Sequence, residues 1–182
     1  MELKVNGLAF LMSREIIQIQ IGNCGNKIGR FFWEYCKSEH SIDYNGKCSY
    51  DNSYFFEKIN VYFEEKKNLK FIPRAILVDS DNEILDEIKL YFGNFYSKKN
   101  FIQGESNMSN NWAKGFYSEC QDLCYTTLES IRKSIETCDS IQGFQIVHSL
   151  GGGTGSGFGS LLIDNLHDEY PDLIISTHSV IP

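Results

Sequence analysis

The residues best placed to do chemistry lie in one glycine run, Gly151-Gly152-Gly153-Thr154-Gly155-Ser156-Gly157-Phe158-Gly159, where six of nine positions are glycine. Without β-carbons, successive backbone N–H groups can face a single concavity, and such nests bind anions. The helix that the pattern starts near Gly157 adds unpaired N–H groups and the positive end of its dipole, and Thr154 and Ser156 add hydroxyl donors. The run therefore reads as a phosphate cradle. A flexible linker is the bland alternative, but a linker is not bracketed this closely by a strand pattern and a helix pattern. No Gly-Lys-Ser/Thr occurs in it, so it is not a Walker loop, and phosphate charge must be met by backbone dipoles and a metal ion.

Asp79 and Asp81 follow the apolar run Ala75-Ile76-Leu77-Val78 and are the candidates to hold Mg²⁺, a hard cation that takes oxygen ligands and keeps several waters. Helix N-capping accounts equally well for at least one of the two. A second glycine turn, Gly22 to Gly29, is only loosely similar to the dinucleotide fingerprint. A nicotinamide-dependent oxidoreductase would need an acidic ribose ligand about 20 residues further on, at the end of a strand. Asp43 has no strand pattern leading to it. Cys120 and Cys124 share a helical face without a second Cys/His pair, which favours small core residues over zinc. His40, His148, His167 and His178 read as structural.

Four apolar segments must position these groups. Ile16 to Ile21 alternates apolar with polar residues and reads as a strand running into the first glycine turn, and Ile28, Phe31, Phe32 and Tyr35 then give the core stripe of a helix. From Ser38 to Asn68 the periodic signals fail, so the segment reads as a long connection, with Glu64-Glu65-Lys66-Lys67 a solvated loop. Ala75 to Val78 is a buried strand followed by the stripe Ile84, Leu85, Ile88. Trp112 to Ile135 repeats at three and four residues and is expected to be the longest helix, beginning at Asn110 and Asn111. Phe144 to Ser149 and Leu173 to Val180 are the remaining strands, on either side of a helical face at Phe158, Leu161, Leu162 and Leu166. The alternation predicts an α/β fold, a parallel Rossmann-like sheet with helices on both faces, whose ligand sits at the carboxyl ends of the strands.

Composition bounds the function. The 182 residues, 42% of them hydrophobic, suffice for one core, and a net charge of −7 gives no general attraction for nucleic acid or anionic lipid. No apolar run approaches the roughly 20 residues of a membrane helix, and Leu8 to Met12 is too short for a signal-peptide core of about 7–15. The six cysteines are scattered and read as free thiols of a cytosolic chain.

From Arg14 to Pro182 the chain resembles the tubulin family, nearest its β branch. Gly151 to Gly157 is similar to the family's signature loop, and Arg14-Glu15-Ile16, Gly25-Asn26, Phe32-Trp33-Glu34, Pro73-Arg74-Ala75-Ile76-Leu77-Val78-Asp79, Asn110-Asn111-Trp112-Ala113-Lys114-Gly115 and Gln142-Gly143-Phe144 fall in family order. The resemblance implies a domain over 13–182 that binds GTP or GDP with Mg²⁺, in a cytoplasmic, cytoskeletal subunit that polymerises head to tail with α-tubulin into microtubules. Residues 1–12 would be an extension, since Met12 sits close to the usual family start. It further implies that Asn23 and Cys24 belong to the first phosphate loop, Asp79 and Asp81 to the metal-side loop, and Asn110 to the loop that senses the terminal phosphate. Ser149, Gly152, Gly153, Thr154 and Gly155 match the signature loop. Hydrolysis in this family is completed by an acidic residue of the next subunit, so no catalytic residue is expected here and the chain alone is expected to be inactive.

The sequence departs from the family pattern at several of these positions. Asn23 and Lys27 stand for glutamines, Asp81 for a glutamate, and Ser106-Asn107-Met108-Ser109 for a Gly-Ala-Gly stretch. A positive φ in that last stretch would cost on the order of 1 kcal/mol per residue. Family members continue well past Pro182, and the chain matches about their first two-fifths. The alternative function is a short, non-polymerising protein that binds nucleotide or a tubulin partner.

Overall fold

A computed structural model of the chain describes residues 14–48, 53–105, 108–118 and 120–182, so the extension at 1–12 and the pair Ser106 and Asn107 lie outside the described residues. In chain order the elements are β1 (Glu15–Ile21), α1 (Gly22–Glu39), α2 (Ser53–Tyr62), β2 (Phe63–Lys66), β3 (Lys70–Pro73), β4 (Ala75–Asp79), α3 (Glu83–Phe92), β5 (Phe101–Gln103), α4 (Gln121–Ile135), β6 (Ile141–Ser149), α5 (Gly159–Glu169) and β7 (Ile174–Val180). Two wide π-helical turns, Lys114–Ser118 and Gly153–Phe158, precede α4 and α5. Five strands form one parallel sheet in the order β5-β4-β1-β6-β7, with Ile19 of β1 opposite Ile76 on one side and Ile146 on the other.

Strands enclosed on both faces read as continuous apolar runs, and all five residues of β4 are buried. Ile17, Ile19 and Ile21 of β1 join Val78 and Phe144 beneath Leu123 and Ile131 of α4 and Leu162 and Leu166 of α5. The opposite face carries Ala75 and Leu77 against Trp33 of α1 and Ile84, Leu85, Ile88 and Phe92 of α3. Gln18 and Gln20 point to that second face and are buried too. They bond to one another at 2.8 Å, and Gln18 continues to Gln145 on β6 at 3.3 Å.

Three expectations are corrected. Ile28, Phe31 and Tyr35 do not form the core stripe of α1: they are 42%, 61% and 73% exposed, while Gly22, Gly25, Asn26, Gly29 and Trp33 are buried. The buried residues keep the helical period, but glycines fill it because the helix lies directly on the sheet. A β-carbon at Gly25 would fall 2.2 Å from the Val147 carbonyl oxygen, and one at Gly29 2.0 Å from the Gln20 side chain. Second, the aperiodic segment from Ser38 contains α2 and the antiparallel hairpin of β2 and β3. Its charge block lies in and after β2 rather than in a loop, with a Lys66–Glu64 ion pair along the strand, although Glu65, Lys66 and Lys67 are exposed as expected. Strands of four residues are too short to impose a visible period. Third, the helix expected from Trp112 is interrupted by the π turn, so α4 starts only at Gln121 and spans 15 residues against 18 in α1. The turn brings Gly115 onto the second π turn, where a β-carbon would lie 2.2 Å from the Gly153 carbonyl oxygen.

Candidate functional site

Four loops meet at the carboxyl ends of β1, β4 and β6, around a cavity of about 540 Å³. β1 ends at Gly22, whose φ of +73° is open to glycine and costly for other residues. The turn drops α1 onto β6 through Gly25, and its first helical turn, which carries no acidic residue, aims unpaired N–H groups and a positive dipole end at the cavity. Asn23 and Cys24 line the wall there. Asn26 pins the turn from below, its amide donating to the carbonyls of Gly22 and Val78 at 3.0 Å each.

The loop after β4 supplies the carboxylates. Asp79 is 4% exposed, and burial pushes its carboxyl up to about 6, against the opposing effect of bonds from the Asp81 and Ser80 amides. Asp81 is exposed at the rim and accepts the Glu83 N–H at 3.3 Å. Neither acid is the N-cap of α3, which is Asn82 and makes no side-chain cap bond, so the capping alternative does not hold; Asp79 lies buried at the cavity. Ser80, between them, was not singled out from sequence. Its hydroxyl meets the Thr154 hydroxyl at 2.7 Å and ties this loop to the glycine run. The only sequence signal for it is its place between two acids.

Asn110 comes from the third loop. Its neighbour Ser109 has a φ of +48°, so the cost stated for a positive φ in this stretch applies at that residue, and the Ser109 carbonyl accepts the Gly153 N–H at 2.9 Å. In the fourth loop Gly152 has a φ of +84°, with space for a β-carbon 3.9 Å from the Asn110 side-chain oxygen. The helical geometry starts earlier than Gly157, at the π turn from Gly153. Two of the glycines serve a purpose other than the concavity. A β-carbon on Gly153 would meet the Met108 carbonyl oxygen at 2.6 Å, and one on Gly157 the Trp112 carbonyl oxygen at 2.3 Å. They let the third loop seat against the fourth.

Asn23, Cys24, Asp79, Asp81, Asn110, Ser149, Gly152, Gly153, Thr154 and Gly155 therefore all line one cavity, joined by Ser80, Ser109, Ile84 and Pro182, which sequence reasoning had not selected. Two helix N-termini face it, and Asp79, Asp81 and Glu83 bring carboxylates to its lining. That arrangement accepts an anion accompanied by a cation. Among the described residues no group of three or more His, Cys, Asp and Glu gathers to hold a metal by itself. No described helix is long and apolar enough to cross a membrane. Cys120 and Cys124 are buried core thiols, and no disulfide joins the described cysteines.

Fold and site together define a parallel α/β domain with an anion-binding loop cluster at its strand ends. The family model described as "Tubulin/FtsZ family, GTPase domain" matches residues 15–182, and the chain belongs to that family. It is 51% identical over 170 residues to a tubulin beta chain of Bombyx mori, an alignment that covers 93% of this chain and 38% of that protein. The chain thus spans about two-fifths of the length of the curated relative it matches.

Proposed function

We propose that the cavity binds GTP or GDP with Mg²⁺ and that 13–182 is the nucleotide-binding domain of a β-tubulin-like subunit, with 1–12 an extension. The observation that carries this reading is the convergence of four separate loops, with all ten selected residues, on one cavity in a chain of this family. The backbone of Gly152 to Gly155 and the first turn of α1 would take the phosphates, with Asn23, Cys24, Ser149 and Thr154 alongside and Asn110 facing the terminal phosphate. Asp79 and Asp81 fit a hard cation: a carboxyl held buried with its ionisation opposed gains by acquiring one. Two carboxylates leave the remaining positions to phosphate oxygens and water, as Mg²⁺ prefers. The ion would neutralise phosphate charge in place of the lysine that the loop lacks.

By the same reading the subunit is cytoplasmic and cytoskeletal, assembles with α-tubulin into microtubules, and hydrolyses GTP only when a neighbouring subunit completes the site. The direct test is titration of the chain with fluorescent guanine and adenine nucleotides, with and without Mg²⁺. Saturable guanine-selective binding, weakened by removing Mg²⁺ and by Asp81→Ala, is expected, and equal binding of both bases would overturn it. Co-pelleting with α-tubulin separates the polymer-forming subunit from the short protein that binds nucleotide without polymerising.

A further inference from the structure

His148 stands on β6 one residue before Ser149 and is 3% exposed, yet both of its ring nitrogens are bonded. Nδ1 lies 2.8 Å from the Gly155 carbonyl oxygen, and Nε2 lies 2.8 Å from the Ser179 hydroxyl on β7. A carbonyl can only accept, so Nδ1 carries a proton and donates to Gly155, while Nε2 pairs with the Ser179 hydroxyl. Space for the ring depends on Gly159, where a β-carbon would lie 3.2 Å from Nδ1.

Gly155 is the residue of the π turn that packs against both the first glycine turn and the end of β6. A β-carbon on Gly22 would lie 3.2 Å from the Gly155 nitrogen, and one on Gly155 would lie 2.9 Å from the Ser149 carbonyl oxygen. A peptide group is planar, so its C=O and the following N–H point in opposite directions. Fixing the Gly155 carbonyl on His148 therefore turns the Ser156 N–H away from the ring. The free N–H groups of a helix point toward its N-terminal end, which is where Gly151 to Gly155 line the cavity.

We infer that His148 is a positioning residue for the anion-binding turn: its imidazole, bonded through Nδ1–H to the Gly155 carbonyl and braced at Nε2 by the Ser179 hydroxyl, fixes the Gly155 peptide and so aims the turn's backbone donors at a phosphoanhydride. It does not line the cavity itself and acts through Gly155. The inference rests on the nucleotide reading above.

The test uses the full chain, ¹⁵N-labelled, with a fluorescent GTP analogue as probe. His148→Leu fills the space without a donor, His148→Asn keeps an amide N–H near the Nδ1 position, and Ser179→Ala removes the hydroxyl that braces the ring at Nε2. Losing one buried bond at the turn is expected to weaken binding about tenfold in the Leu variant, with the Asn variant within about threefold of the parent. Ser179→Ala should leave the Nδ1–H in place, because the Gly155 carbonyl selects it, and, by loosening the ring, move the Gly155 and Ser156 amide resonances. A Leu variant with the parent's circular dichroism and affinity overturns the inference, as does equal weakening by Leu and Asn. If the Leu variant does not fold, Ser179→Ala decides, and unmoved amide resonances there overturn the inference. If the parent chain binds no guanine nucleotide, the nucleotide reading fails on its own, and the same amide resonances still decide whether the ring holds the turn.

Discussion

Asp79 is the residue whose environment makes the sharpest demand. Its folded-state carboxyl is raised to about 6, while an unfolded aspartate titrates near 3.8. Between those values the folded chain holds more protons than the unfolded one, so this group's contribution lowers stability as pH rises from about 4 to 6 and is fully unfavourable above that. Asp79→Asn is expected to stabilise the ligand-free chain at pH 7.5 by an amount on the order of 2 kcal/mol, seen as a higher melting temperature, and to leave its stability unchanged near pH 4. An equal shift at both pH values would show that burial of the charge is not the cause. Binding of nucleotide with Mg²⁺ at pH 6 should release protons, read by calorimetry in buffers of different ionisation enthalpy.

Ser109 carries a different strain. A left-handed serine costs about 1–2 kcal/mol relative to the right-handed form, and its carbonyl must still meet the Gly153 N–H. Ser109→Gly should stabilise the chain by about 1 kcal/mol in urea titration. No change would mean that local bonds already relieve the serine.

At the scale of elements, glycine contacts decide how helices meet the sheet and how the two π turns meet each other. Gly25→Ala would drive a methyl group against the backbone of β6, and Gly157→Ala would drive one into the Trp112 carbonyl. Each should cost about 2–3 kcal/mol, by the usual penalty for overpacking, whereas Phe31→Ala on the exposed side of α1 should stay within about 0.5 kcal/mol. Chemical denaturation of the three variants checks the contrast. The same residues show why α1 was legible as a helix and misread in its facing. Hydrophobic periodicity finds the face that carries large apolar side chains, and here the buried face carries glycine, Asn26 and one tryptophan.

On the scale of the whole molecule, β7 is an edge strand among the described residues, it carries no Asp, Glu, Lys, Arg or proline, and its Ile174 is 59% exposed. Such an edge is a template for pairing with another chain. The isolated chain is expected to self-associate at high concentration, and Thr177→Lys should raise the concentration at which light scattering detects it. Unchanged scattering would place the association elsewhere.

The sequence by itself determined the strand and helix alternation, and with it a parallel sheet whose carboxyl ends carry ligand groups. It also selected ten of the residues that line the cavity, because glycine runs and acid pairs at strand ends are local signals and the resemblance to a family added the rest, but it passed over Ser80, Ser109, Ile84 and Pro182 on the same wall. Only the tertiary structure decided that Asp79 is buried while Asp81 is exposed, that Ser80 clasps Thr154, and that His148 braces Gly155. Those relations join residues far apart in the chain, and burial, bond partners and close backbone approach are properties of the packed fold that no local pattern encodes.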